Sequence, residues 1–210
     1  MTMFSSLWFS AEVGLIYSAN ATHVNLLSDA VAAGFDASSG GILIVTINSG
    51  VTLSGTTTNA INSGNFPANS TVTITNNGTV SGYTGANGSG GAAGSVGGDA
   101  FNAEFTASGS TWSIVNNGTW GGGGGGGGSG ASRSTSYAGK GGQNYCDVPT
   151  NIGSAGAAGG LGAAGATGSN GSGSSVCVNY AAGAGGAAGY AVKKNGLTIS
   201  TTGTFLGTVG

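Results

Sequence analysis

Few side chains in this 210-residue chain are equipped for chemistry. The one histidine, His23, has no cysteine near it and no metal-ligand spacing, so it reads as a structural or surface residue. The six carboxylates (Glu12, Asp29, Asp36, Asp99, Glu104 and Asp147) are scattered, and Asp99 and Glu104 would meet only by accident of folding. Lys140 is followed by Gly141 rather than Ser or Thr, so the glycine runs are not phosphate loops. They also lack the aspartates that calcium-binding nonapeptides place at fixed offsets. The Asn-Gly-Thr and Asn-Gly-Ser triplets fit glycosylation sequons but are more simply turns. Neither catalysis nor a metal or cofactor is expected.

Binding chemistry is better represented. Residues 131–151 hold Arg133, Tyr137, Lys140, Tyr145 and Asp147, and residues 174–181 add Tyr180. Tyr and Arg on loops of small residues bring contact area and hydrogen bonds at low entropy cost. The competing assignment is that these tyrosines cap the exposed ends of glycine layers. Cys146 and Cys177 are the only cysteines. A bridge between them would be worth roughly 3–4 kcal/mol in the chain-entropy model. Run straight at ~3.1 Å per residue, positions 153–171 would span about 56 Å, whereas the flanking residues recover only about 45 Å fully extended. A disulfide therefore requires the tract to fold back, near Gly159-Gly160 or within Gly168–Gly173. Two free thiols are the alternative.

The elements that must position these loops are unusual. Glycine recurs at every third residue from Gly82 to Gly97, from Gly153 to Gly171 and from Gly183 to Gly189. Three is the period of polyproline II, a left-handed helix without internal hydrogen bonds. Collagen shares the period but needs abundant proline, and the two prolines, Pro67 and Pro149, lie outside the tracts. A flexible linker would not keep strict phase. Ordering a glycine-rich strand costs about 1–2 kcal/mol per residue, so lateral N–H···O=C bonds must offset it. The expectation is a layered bundle of glycine helices within one chain.

Before residue 82 the pattern differs. Residues 25–35 (NLLSDAVAAGF) predict a short helix with Leu26, Leu27, Ala30 and Val31 on one face and Gly34 near its end. Residues 41–53 read as two strands around Asn48-Ser49-Gly50. A strand-turn-strand phrase starts at Thr73, recurs at Ser113 and again at Thr198, with one repeat position skipped before the last. Residues 1–19 are the most apolar stretch but lack a basic n-region and carry Glu12. That favours an uncleaved docking segment with Phe4, Trp8 and Phe9 facing a partner over a secretory signal. Only 5% of residues are charged and the net charge is -2, which leaves no electrostatic footprint for nucleic acid.

The phrases INSGVTLSG and AINSGNFPANSTVTITNNGTVSG, with NNGTW running into poly-Gly, resemble the glycine-rich bacteriophage tail-fibre tip adhesins. These include the T-even distal subunits; similar modules end the central tail proteins of lambda-like phages. The resemblance covers about residues 20–210. It implies a sandwich of polyglycine II helices whose variable loops touch an outer-membrane protein or surface glycan of the host. It also implies a virion-surface location after synthesis in the host cytoplasm, partners among other phage tail or fibre proteins, and leaves a homotrimer open. The segment before residue 20 departs from the T-even attachment domain.

The combined expectation is a mostly irregular/β chain: a docking segment with a short helix at 1–40, a β-rich base at 41–81, and packed polyglycine II helices with receptor-facing loops at 82–210. Its function would be that of a receptor-binding adhesin. The alternatives are a structural virion decoration or fibre protein, and an ice-binding protein, which thermal hysteresis would separate.

Overall fold

The computed structural model describes residues 12–89, 92–104, 109–129, 155–169 and 182–210. Its chain winds in coils, each giving one strand to each of three sheets. The first coil holds β1 (Glu12–Tyr17), β2 (Ala21–Thr22) and β3 (Val24–Asn25), then the helix α1 (Leu26–Ala32). The second holds β4 (Ile42–Ile47), β5 (Thr52–Ser54) and β6 (Ile61–Asn62). The third holds β7 (Thr71–Asn76), β8 (Thr79–Ser81) and β9 (Phe101–Asn102); the fourth, β10 (Thr111–Asn116), β11 (Thr119–Gly121) and β12 (Val192–Lys193). A fifth opens with β13 (Ile199–Gly203), and parallel bridges from Leu206 to Gly121 and from Val209 to Val192 complete it.

Every pairing between these strands is parallel. The sheet orders are β1-β4-β7-β10-β13, β11-β8-β5-β2 and β12-β9-β6-β3. Alternation along each strand sends every second residue inward, so register stacks like on like. Leu43, Val72, Trp112 and Ile199 form one buried column, and Leu53, Val80 and Trp120 another. A third runs through Val24, Ile61, Phe101 and Val192. Aromatic rings fill the centre: Phe66 meets Trp112 edge-on at 5.2 Å between centroids, and Trp120 meets Phe205 at 6.0 Å. Such contacts add about 0.5–1.5 kcal/mol beyond area burial.

This overturns the expected fold. A short β-rich base followed by a sandwich of packed polyglycine II helices is not the architecture; the regular structure is three parallel sheets and one short helix. The strands come from residues on both sides of the glycine tracts. The physical reason lies in the core: columns of Val, Ile, Phe and Trp bury apolar area that glycine cannot supply, so coils distant in sequence close on one another. The tracts are extended connections leaving those coils.

The expected helix is present, with its boundaries explained locally. The Asn25 side chain accepts from Ser28 N–H at 3.0 Å as N-cap, and Gly34 (φ +104°) leaves the helix in the left-handed region. Leu26 and Ala30 are buried, while Val31 is 46% exposed. The strands flanking Asn48-Ser49-Gly50 exist, but β4 and β5 enter different sheets and do not pair with each other. No repeat position is skipped before the last phrase, since β10 pairs directly with β13. The register there is shifted by two from the sequence alignment: Ile199 sits beside Trp112, not Ile114.

Candidate functional site

Two glycine-rich excursions leave the coils. One runs from β8 to β9, the other from β11 to β12. The second begins with the uninterrupted run Gly121–Gly128, whose residues are all buried. Its backbone bonds at every third residue to each neighbour. Gly82, Gly85 and Gly88 N–H donate to Gly121, Gly124 and Gly127 oxygens at 2.8–3.1 Å. Gly123 and Gly126 donate to Gly98 and Ser95 oxygens; Gly156, Gly159 and Gly162 donate to Gly128, Gly125 and Gly122 oxygens. Gly125 and Gly128 donate to Ala163 and Ala166 oxygens, and Gly183, Gly186 and Gly189 donate back to Ser129, Gly126 and Gly123 oxygens. Five segments thus surround this one.

That enclosure explains the composition. A Cβ on Gly125 would sit 1.8 Å from Gly186 O; on Gly124, 1.9 Å from Gly159 O; on Gly126, 1.9 Å from Ala86 O. Successive residues face different neighbours, so the central segment needs glycine throughout. Outer segments need it only where they face inward, and Ala157, Ala158, Ala163 and Ala164 between their glycines are exposed. Residues 155–169 double back at Gly160–Gly162: Ala163 N–H donates to Gly160 O at 3.0 Å, Ala166 N–H to Ala157 O at 2.8 Å, and Gly162 has φ +71°.

The geometry gathers six chain ends. Gly88 N–H reaches Gly127 O, Ser129 N–H reaches Ala92 O at 3.1 Å, Gly183 N–H reaches Ser129 O at 2.9 Å, and Gly168 N–H reaches Gly183 O at 3.1 Å. Asn87 Oδ1 also accepts from Gly127 N–H at 2.8 Å. Residues flanking 90–91, 130–154 and 170–181 therefore lie together at the end of the segments away from the coils. Arg133, Tyr137, Lys140, Tyr145, Asp147 and Cys146 belong to the second stretch, and Tyr180 and Cys177 to the third; all lie outside the described residues, as do Phe4, Trp8 and Phe9.

Among the described residues charge is confined to the coils. No described residue in 82–98, 122–129, 155–169 or 182–189 is ionisable apart from the Tyr83 phenol. On the coils Lys193 pairs with Asp99 at 3.7 Å, and Asp99 Oδ1 also accepts from Tyr190 N–H at 2.8 Å. Tyr17 OH donates to Asp29 at 2.8 Å, and burial, followed by that bond and the negative charge of Asp29, holds the phenol protonated well above its ordinary range. His23 (φ +52°) spends its ring on the neighbouring coil: Nε2 meets Thr56 Oγ1 at 2.5 Å, and Nδ1 faces Thr58 Oγ1 at 3.0 Å and Asn59 O at 3.2 Å. That is a structural role. The Asp99 carboxylate is taken by Lys193 and Tyr190 N–H, while Glu104 is held through its backbone N–H, which donates to Ser63 Oγ at 2.8 Å. Among the described residues no cluster of His, Cys, Asp or Glu could hold a metal ion.

Among the described residues both ends of the coil stack present edge strands. At the far end β13 is an edge strand, Phe205 and Val209 are half-buried against the core, and Leu206 is 42% exposed. At the first coil β1, β2 and β3 are all edge strands. Val13, Leu15, Tyr17 and Ala21 are only half-buried there, although their column neighbours Leu43, Val45, Ile47 and Leu53 are fully buried. Sequence reasoning missed this open face; its signal was an alternating apolar strand, Val13–Leu15–Tyr17, inside a segment read as an isolated apolar stretch.

The chain shares its fold with a chain in the crystal structure of the gp37-gp38 adhesin tip complex of the bacteriophage S16 long tail fiber. The TM-score is 0.58 at 21% identity over 93% of this chain and 81% of that one. No curated protein matches. A family model described as phage tail fibre adhesin Gp38 matches residues 12–210, from the first residue of β1 to the last of the fifth coil. On that match, spanning every coil and both glycine excursions, the chain belongs to the Gp38 family of phage tail fibre adhesins.

Proposed function

We propose that this receptor-binding adhesin engages the host through residues 130–154 and 170–181. Arg133, Tyr137, Lys140, Tyr145, Asp147 and Tyr180 are the contact residues, and an outer-membrane protein or surface glycan is the target. One observation carries the reading: the six segment ends at Ser89, Ala92, Ser129, Ala155, Ser169 and Ala182 are brought to one end by the backbone bonds around Gly127–Ser129. A scaffold whose own bonds fix the loop anchors lowers the entropy lost on binding. The segments carry no charged side chain, so binding energy must come from what they hold up. No catalytic step is needed for this role.

Attachment falls to the opposite region. Phe4, Trp8 and Phe9 with the open first coil dock onto another tail or fibre protein, consistent with a neighbour whose structure is a gp37-gp38 complex. On this reading the adhesin sits at a fibre tip on the virion, after synthesis in the host cytoplasm. A Cys146–Cys177 bridge belongs to the same proposal, and the doubling back of the described tract at Gly160–Gly162 supports it. The test exchanges residues 131–151 for the corresponding stretch of an adhesin with a different host. Adsorption should follow the donor of the loop while the thermal unfolding of the purified chain stays unchanged. An unchanged host range would favour a structural fibre role instead.

A further inference from the structure

Four Asn-Gly pairs lie among the described residues: Asn77-Gly78, Asn87-Gly88, Asn117-Gly118 and Asn195-Gly196. In such a pair the glycine amide nitrogen can attack the asparagine side-chain carbonyl carbon, because no Cβ on the glycine hinders it. The fold treats the four attacking nitrogens differently. Gly78 N–H donates to Asn76 Oδ1 at 3.0 Å and is buried; Gly88 N–H donates to Gly127 O at 2.8 Å within the glycine segments. Gly118 is exposed and donates weakly to Asn116 Oδ1 at 3.3 Å. Gly196 is exposed, and its N–H donates to no acceptor among the described residues.

Asn195 and Gly196 occupy the centre of a tight turn, with φ +46° and +87° and Leu197 N–H donating to Lys194 O at 2.9 Å. The Asn195 amide donates to Asn102 Oδ1 at 3.0 Å and to Ala103 O at 2.5 Å, ending the side-chain ladder Asn62–Asn102–Asn195 that ties three coils. Lys193 and Lys194, two of the four basic residues, immediately precede the turn.

We propose that Asn195-Gly196 is a site of spontaneous covalent modification, losing its amide through a succinimide. The Gly196 nitrogen bonds to Asn195 Cγ as the Cγ–Nδ2 bond breaks. Nδ2 leaves as ammonia, taking the Gly196 amide proton. One water then opens the ring at either carbonyl, giving aspartate or isoaspartate. The new carboxylate faces the two oxygens that Nδ2 had bonded, so the ladder opens at its last rung.

The test incubates the purified full chain at mildly alkaline pH and follows these four Asn-Gly sites by peptide mass spectrometry, in buffer and in urea. The folded chain should lose its amide at Asn195 several-fold faster than at Asn77 and Asn87, with Asn117 between. In urea the four rates should converge, because the ranking comes from the fold. Retention of the Asn195 amide while Asn77 or Asn87 reacts overturns the assignment, and so does a ranking that persists in urea.

Discussion

Asn76 donates its side-chain N–H to Asn116 Oδ1 at 2.8 Å, across 40 residues of sequence, inside a core otherwise lined by Ile, Val and Trp. The same amide donates to Thr119 O at 3.0 Å, and its oxygen accepts from Gly78 N–H at 3.0 Å. Asn116 passes the ladder to Thr204 O. Each Asn thus closes the corner of its own coil and joins it to the next. Asn76→Ala should leave Gly78 N–H, Thr119 O and Asn116 Oδ1 short of a buried partner, at a cost of about 1–3 kcal/mol. Urea unfolding should show it as a lower midpoint. Asn77→Ala, on the exposed neighbour, should stay within about 0.5 kcal/mol.

The enclosed glycine run makes a sharper contrast. Gly125→Ala drives a methyl to 1.8 Å from Gly186 O, and backbone on that side cannot rotate away. The expected cost is about 3 kcal/mol or more. Ala164→Ser, on an outer segment with its side chain in solvent, should be neutral. Thermal melts of the two variants would decide it; equal stability would mean that the segments do not pack as described.

Asp36 predicts an acid-side effect. The Ser38 and Ser39 hydroxyls, with Ser38 N–H at 2.8 Å, hold its carboxyl at about 2 against an ordinary 3.8. A depressed carboxylate contributes stability that is complete above its unfolded value and lost as pH falls through the folded one. The window is therefore pH 3.8 down to about 2. The protection factor of the Ser38 amide, its exchange relative to an unstructured peptide at the same pH, should fall across that window in the wild type. In Asp36→Asn it should be low throughout.

The open coil can be tested apart from the loops. Ile16 is 64% exposed on edge strand β1. Ile16→Lys should leave unfolding of the isolated chain nearly unchanged while weakening capture by the fibre protein proposed above to carry it. Retained capture with normal affinity would remove β1 from the docking surface.

Particular residues show how far sequence could go. Asn25 and Gly34 marked the helix because caps are local chemistry. The Asn-Asn-Gly-Thr phrases marked coil corners, but not that β4 and β5, or β7 and β8, part into separate sheets, since a turn does not reveal which strands pair. Ile199 was placed beside Ile114 instead of Trp112 because a slip of two preserves which face points inward. The glycine period was plain and still misjudged the architecture: it speaks of close backbone approach, whereas Trp112, Phe101 and Trp120, each modest in sequence, decide where the core lies. The loop residues, by contrast, stand out by side-chain type alone, and the gathering of the described residues that flank them rests on backbone bonds, mostly between glycines, that carry no individual signal.

The order of strands within a coil has a consequence for divergence. Both glycine excursions leave between the second and third strands of a coil, so their sequence and length can change without altering which residues stack in the core. Recognition can drift while the frame that carries it stays put.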